Sequence, residues 1–208
     1  MSGIEPAGGS VEVLVPSTNL NRRVSELGLE LGGLLGESDH TPLLIGVLKG
    51  STLFLADLVR ALEVDVALDF MSISAYSAGA GQSGVVRIIK DLEHDIAGRD
   101  VVIVEDIVDT GLTLAYLRRA LGERNPRSVR AVTLLDKSVR RIVPVELELR
   151  GFEVPDVYVV GYGLDFMGRY RNLPDLLAVR DIARLANDPD LLVTPLWGSQ
   201  ARPNQTGS

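Results

Sequence analysis

A chain of 208 residues without a single cysteine rules out disulfides, thiolate catalysis and cysteine-ligated zinc. Its net charge of −7 argues against non-specific binding to nucleic acid or to an anionic membrane, both of which call for a basic face, but leaves room for a local basic pocket. A hydrophobic fraction of 46% beside 24% charged residues is that of an ordinary globular domain with a sizeable core.

Residues 11–190 read as a single domain, with tails at 1–10 and 191–208. The opening MSGIEPAGGS has neither the basic n-region nor the apolar h-region of a secretory signal. No apolar run reaches the ~18 residues a spanning helix needs, so residence in the cytoplasm without a membrane is expected. Residues 11–15 suggest a short strand ending at Pro16. Leu20, Val24, Leu27, Leu31, Leu34 and Leu35 then step by three and four, predicting an amphipathic helix capped by Ser17, Thr18 or Asn19. His40 and His94 lie far apart with no partner at metal-ligand spacing and read as surface residues, so any metal should be a hard ion held by carboxylates.

Residues 43–48 (LLIGVL) form an apolar run, followed by Lys49-Gly50-Ser51-Thr52 and a helix whose expected stripe is Leu53, Ala56, Leu58 and Leu62. Strand, loop and helix in that order are the rhythm of a parallel α/β sheet. A strand at 66–73, a glycine-rich loop at 76–84 and a β-branched run at 85–89 together suggest two strands joined by an extended flap. Gly79, Gly81 and Gly84 match GxGxxG, but residues 85–89 are β-branched rather than helical, so the dinucleotide-binding reading is set aside. The P-loop pattern GxxxxGK[ST] is absent from the chain. Further strands are expected at 129–135, 157–160 and 177–179.

The most informative segment is VVIVEDIVDTGLT, residues 101–113. Four β-branched residues in a row predict a strand buried on both faces. Two acids, Glu105 and Asp106, stand at its end. Asp109, Thr110, Gly111 and Thr113 then lead into a helical pattern at Leu114, Leu117 and Leu121, stopped by Asn125-Pro126. Ligands of open α/β sheets bind beyond the carboxyl ends of strands, and helix N-termini there hold phosphate through free N–H groups. Acids for hydroxyls or a metal and an amide cradle for phosphate, close together in sequence, suit a phosphorylated sugar.

This segment resembles the phosphoribosyl-pyrophosphate motif of type I phosphoribosyltransferases. Gly46-Val47-Leu48-Lys49-Gly50, Leu134-Leu135-Asp136-Lys137, and the stretch from Pro155 to Asp165 continuing to Arg171 extend the match toward the 6-oxopurine branch, over roughly residues 11–182. The resemblance implies a mostly parallel central sheet flanked by helices, a small hood and a flexible flap. It also implies magnesium-dependent transfer of phosphoribosyl from phosphoribosyl pyrophosphate to hypoxanthine or guanine, giving IMP or GMP, by a homo-oligomer (dimer or tetramer).

In that likeness Glu105 and Asp106 hold the ribose hydroxyls and the metal, and Asp109 is the catalytic acid or base at N7 of the purine. Ile107, Val108, Asp109, Thr110, Gly111, Leu112 and Thr113 wrap the 5′-phosphate. Lys137, Tyr158, Val159 and Asp165 meet the purine, Asp165 also serving as a magnesium ligand. Lys49, Gly50 and Arg171 take the pyrophosphate, with the Leu48-Lys49 peptide expected to be cis when ligands bind. Tyr76 belongs to the flap, where Ala75 replaces the serine usual in relatives. Two rival readings are a xanthine-preferring relative and a nucleotide- and RNA-binding regulator on the same scaffold; the acidic charge counts against the second.

Overall fold

The computed structural model describes residues 11–36, 40–76, 85–188 and 190–192. In chain order the elements are β1 (Val11–Val15), α1 (Ser17–Leu35), β2 (Leu43–Leu48), α2 (Thr52–Arg60), β3 (Ala67–Tyr76), β4 (Val85–Lys90), β5 (Asp100–Val108), α3 (Leu112–Gly122), β6 (Ser128–Asp136), β7 (Leu149–Glu153), β8 (Tyr158–Val160), β9 (Leu176–Val179) and α4 (Ile182–Asn187). A six-stranded sheet has the order β4-β3-β2-β5-β6-β7 and is parallel except for β4, which runs antiparallel to β3. Among the described residues no helix is long and apolar enough to cross a membrane.

β5 sits between β2 and β6 because its side chains can be buried on both faces. Val102 and Val104 face a cluster built with Leu20, Leu27 and Leu31 of α1 and Phe54, Leu55 and Leu58 of α2. Val101 and Ile103 face Leu114, Leu117 and Leu121 of α3. All four valine and isoleucine side chains are fully buried, worth about 1.5–3 kcal/mol each by transfer. The expected parallel α/β architecture is what the structure shows.

Two local expectations need correction. The α1 stripe holds at Leu20, Val24, Leu27, Leu31 and Leu35, but Leu34 is exposed and no side chain from Ser17, Thr18 or Asn19 caps the helix. Ser17 is already helical; its amide donates to Asp175 Oδ1 at 2.6 Å, so an acid 158 residues away does the capping. In α2 the buried face is Phe54, Leu55 and Leu58, whereas Leu53 and Ala56 face solvent. Both apolar faces fit a helical period there, and the position of β2 selects between them.

The strands expected at 11–15, 157–160 and 177–179 leave the central sheet. They form a separate antiparallel sheet, β1-β9-β8, which is the hood. Its own core gathers Val11, Val160, Phe166, Leu177 and Leu185, and Leu192 is buried in it, so packing continues past residue 190. β7, with its polar LRGFE sequence, gave no strand signal and adds the last parallel strand beside β6.

β3 and β4 pair up to Tyr76 opposite Val85, two antiparallel arms where a flap was expected. The loop 77–84, with the GxGxxG match, lies outside the described residues, as does the side chain of Tyr76. At the foot of these arms Asp69 is buried and accepts hydrogen bonds from the amides of Phe70, Glu93 and His94. His94, exposed as expected, also brings Nδ1 to 2.9 Å from Asp69 Oδ2. His40 is exposed.

Candidate active site

β5 ends in the acids and β6 ends at Asp136-Lys137, side by side, because Val108 pairs with Asp136 across the parallel ladder. The carboxyl ends of the central strands thus bring the acidic turn and Lys137 together, and the hood closes over them with Tyr158, Asp165 and Arg171. Two cavities result. The first, of about 340 Å³, is lined by Lys49, Gly50, Glu105, Asp106, Ile107, Val108, Asp109, Thr110, Gly111, Thr113, Asp165 and Arg171 among others. The second, of about 590 Å³, is lined by Lys137, Tyr158, Val159, Asp165 and Ile107 among others. Asp106, Ile107, Asp109 and Asp165 border both.

Nearly every residue singled out from sequence therefore falls in one connected site. Among the described side chains Leu112 is the exception. Its side chain is 42% exposed and lines neither cavity, since it sits on the solvent side of the first turn of α3. Sequence reasoning missed Ile73 in the first cavity and Arg140, Asp156, Leu164 and Ile182 in the second. The Arg140-Arg141 pair just after Lys137 was a legible signal; Ile182 was not, because α4 reaches the site only through the hood.

The turn after β5 is shaped for an anion. Gly111 precedes α3 in the left-handed region at φ +83°, and α3 presents its N-terminus to the cavity. Leu48 and Lys49, which also line the first cavity, are joined by a cis peptide bond, the form the resemblance implied for the liganded state. Gly50 follows, and contact there is close on two sides. A Cβ on Gly50 would lie 1.5 Å from Asp106 Oδ2, and one on Gly163, itself at φ +100°, would lie 2.1 Å from the Gly50 carbonyl oxygen. Tyr162 OH donates to Asp57 Oδ2 at 2.6 Å, tying this hood turn to α2.

Arg171 spans the hood loop, donating to the Gly163 carbonyl at 2.6 Å and pairing with Asp165 Oδ1 at 2.7 Å. Asp165 Oδ2 accepts from the Gly168 amide, so both carboxylate oxygens have partners. Tyr158 stands edge-on to Phe166 and donates to the Asp165 carbonyl at 2.8 Å. Tyr158 is 38% exposed and lines the second cavity, where a flat aromatic ligand could stack on its ring. Val159, by contrast, is a buried strand residue that also touches the cavity. Lys137 is buried, with Nζ donating to the Val157 carbonyl at 2.8 Å and 3.9 Å from Asp156 Oδ1. It is a cation held at the cavity wall. Arg140 Nε lies 3.3 Å from Asp109 Oδ1, an ion pair rather than a hydrogen bond, and its other end reaches Asp156.

The acids carry the electrostatic load of the site. Burial, and then the neighbouring charge of Asp106, push the Glu105 carboxyl well above the usual carboxylate range; its Oε1 has no hydrogen-bond partner. Burial likewise pushes Asp106 up to about 6, against the pull of the Ile107 and Asp106 amides and of Arg171. Consecutive on a strand, the two side chains leave the sheet on opposite faces, and of these two acids Asp106 alone borders both cavities. Two acids strained toward the neutral form, one of them with an orphaned buried oxygen, fit a hard cation. Among the described residues no group of three or more His, Cys, Asp or Glu could hold a metal without help. A hard cation here would take one or two of these carboxylates and complete its shell with water and substrate oxygens.

These shifts make stability depend on pH. Each raised pKa means that the folded state keeps protons the unfolded state has lost, so stability falls as pH rises from about 4 through the folded values. Glu105→Gln removes one of these buried charges. It should raise the Tm of the ligand-free protein by about 4 °C at pH 8 and by under about 1 °C at pH 5, read by calorimetry. Equal shifts at both pH values would mean that Glu105 ionises freely in the fold.

Comparison with known proteins places this geometry. The family described as phosphoribosyl transferase domain matches residues 26–167. The chain belongs to that family. Hypoxanthine phosphoribosyltransferase of Salmonella typhimurium is 46% identical over 165 residues, spanning 79% of this chain and 93% of the relative. Hypoxanthine-guanine phosphoribosyltransferase of Mycobacterium bovis is 48% identical over 170 residues, spanning 80% and 84%. A solved structure of hypoxanthine phosphoribosyl transferase from Trypanosoma cruzi is 36% identical and superposes with a TM-score of 0.81, over 91% of this chain and all of that one. Within the phosphoribosyl transferase family the acidic turn after β5, the cis peptide at Lys49 and the buried Lys137 now have a common setting: one sheet edge, one hood and a divided cavity.

Proposed function

We propose that this protein transfers the 5-phosphoribosyl group from phosphoribosyl pyrophosphate to N9 of hypoxanthine or guanine, releasing pyrophosphate and giving IMP or GMP for purine salvage. The observation that carries this reading is the divided cavity. A sugar phosphate held by the turn after β5 and a flat base held against Lys137 and Tyr158 meet over Asp106 and Asp109, which border both halves. The names of the relatives support the same substrates.

In this reading the amides of Thr110, Gly111 and Thr113 hold the 5′-phosphate, and Asp106 and Glu105 take the ribose hydroxyls. Lys49, the Gly50 amide and Arg171 receive the pyrophosphate. The base lies between Ile107 and Tyr158 with O6 on Lys137. As the C1′–O bond to pyrophosphate breaks, its electron pair leaves with pyrophosphate, and the N9 lone pair forms the new bond to C1′. Asp109 accepts the proton that N7 sheds. The acids beneath the ring favour the cationic character that C1′ gains in the transition state. Magnesium would be held on substrate oxygens by Asp106 or Glu105 on the ribose side and by Asp165 on the pyrophosphate side, where it would neutralise pyrophosphate charge. Once Arg171 turns to pyrophosphate, Asp165 is free for that role. The working form is a homo-oligomer, checked by light scattering of the purified protein.

The test is a comparison of kcat/KM for hypoxanthine, guanine, xanthine and adenine. Hypoxanthine and guanine should lead, and adenine, whose 6-amino group cannot accept from Lys137, should be poor. Xanthine in the lead would replace the proposed bases, and no turnover with any of the four would remove the reading. Lys137→Ala should lower kcat/KM for hypoxanthine about 100-fold while changing adenine within about threefold. An unchanged hypoxanthine-to-adenine ratio would sink the role given to Lys137.

A further inference from the structure

The turn that cradles phosphate owes its shape to the segment packed behind it. Each of its carbonyl oxygens is bound. Val108 O accepts from the Lys137 amide at 2.9 Å, and Thr110 O accepts from the amides of Ile142 and Val143 at 2.9 and 3.1 Å. Gly111 O accepts from Ala115 within α3. Asp109 O differs from these three: its bond comes from a side chain, Arg141 Nε at 3.1 Å. The same guanidinium pairs through Nη2 with Asp136 Oδ1, and Arg150 Nη1 reaches Asp136 Oδ2 at 3.2 Å. Arg141 is mostly buried, and the segment it belongs to presses on the turn so closely that a Cβ on Gly111 would lie 2.5 Å from Val143 O and 2.9 Å from Arg141 Cδ.

In a trans peptide the carbonyl of one residue and the N–H of the next point in opposite directions. A carbonyl drawn back at Asp109 therefore turns the Thr110 N–H forward, toward the first cavity. Were that peptide to rotate, a carbonyl oxygen would face the anion instead. We propose that Arg141 is a positioning residue for the 5′-phosphate: by gripping the Asp109 carbonyl it fixes the Asp109–Thr110 peptide with its N–H toward the ligand. Through Asp136, which adjoins Lys137, the same side chain links the phosphate turn to the strand end that meets the base. The role rests on the phosphoribosyl transfer reading for its ligand, and its geometry stands apart from the choice of base.

The experiment compares Arg141→Lys and Arg141→Ala with Arg150→Gln, which also weakens the hold on Asp136 but touches nothing in the turn. For both Arg141 variants KM for phosphoribosyl pyrophosphate should rise about 10-fold or more, and KM for hypoxanthine at saturating co-substrate should stay within about twofold. Arg150→Gln should leave both KM values within about twofold of wild type. Millimolar methylguanidinium, too dilute to unfold the protein, should restore at least part of the loss in Arg141→Ala. Calorimetric binding of ribose 5-phosphate should weaken in step with the KM, and it reads the phosphate turn without turnover. An inactive wild type that still binds ribose 5-phosphate more tightly than Arg141→Lys would reject the transfer reading and keep the positioning role. Parallel rises in both KM values, or ribose 5-phosphate affinity equal in wild type and Arg141→Lys, would overturn it.

Discussion

Gly50→Ala should abolish most activity while leaving a folded protein. The added methyl would stand 1.5 Å from Asp106 Oδ2 and 2.6 Å from Asp106 Cγ. Neither side can yield cheaply. Asp106 belongs to β5, a central strand of the sheet, and its Oδ1 accepts from the Ile107 amide, while the Gly50 carbonyl is backed by Gly163, where a Cβ would meet it at 2.1 Å. Relief must come from moving the Lys49–Gly50 segment or swinging the Asp106 carboxylate, and both line the first cavity. A displacement near 1 Å at reacting groups costs on the order of 100-fold in rate, so kcat/KM should fall by about that factor. Overpacking at this contact should lower stability by about 1–3 kcal/mol, which a urea titration measures. Activity within about threefold of wild type would show that the turn adapts, and that the closeness of Gly50 to Asp106 has no bearing on catalysis.

Asp109→Asn is expected to lower kcat about 100- to 10,000-fold, the range a positioned acid or base contributes, while Kd for IMP changes by less than about threefold. Asparagine keeps the shape and one acceptor oxygen but cannot take the N7 proton. The Asp109 carbonyl that Arg141 holds is main chain and survives the substitution, so the phosphate turn should keep its form. The ion pair with Arg140 is lost, but Arg140 retains Asp156. Steady-state turnover and calorimetric binding of IMP on the same preparation separate the two quantities. A kcat within about fivefold of wild type would leave Asp109 as a residue that orients the ring and moves no proton.

Much of this was legible in the linear chain, for identifiable reasons. Four consecutive β-branched residues before two acids can be satisfied by a strand buried on both faces, and β5 is that strand. Because phosphate binding uses a contiguous turn, Asp109 to Thr113 could be recognised together. Lys137 was found through the resemblance of residues 134–137 to the family's motif, and the apolar run of β6 placed it at a strand end. Other features were hidden because they depend on contacts between distant segments. The cap of α1 is Asp175, the buried face of α2 is set by β2, and β7 forms from a polar sequence because β6 offers it an open edge. Arg141 was visible as a residue but not as a part of the site, since its partners are a main-chain carbonyl and a carboxylate on other elements.

The sequence by itself determined the helical and strand periods, the acidic turn and the kinds of side chain available to bind a phosphorylated sugar and an oxopurine. These are local properties, written in neighbouring residues whose spacing has one favourable conformation. Only the tertiary structure decided that the terminal strands leave the central sheet to build the hood, that Asp106 and Asp109 are shared by two cavities, and that Glu105 is buried with an oxygen unpartnered. Those outcomes turn on burial and on the meeting of chain segments more than a hundred residues apart, and solvent exclusion has no signature in any one stretch of sequence.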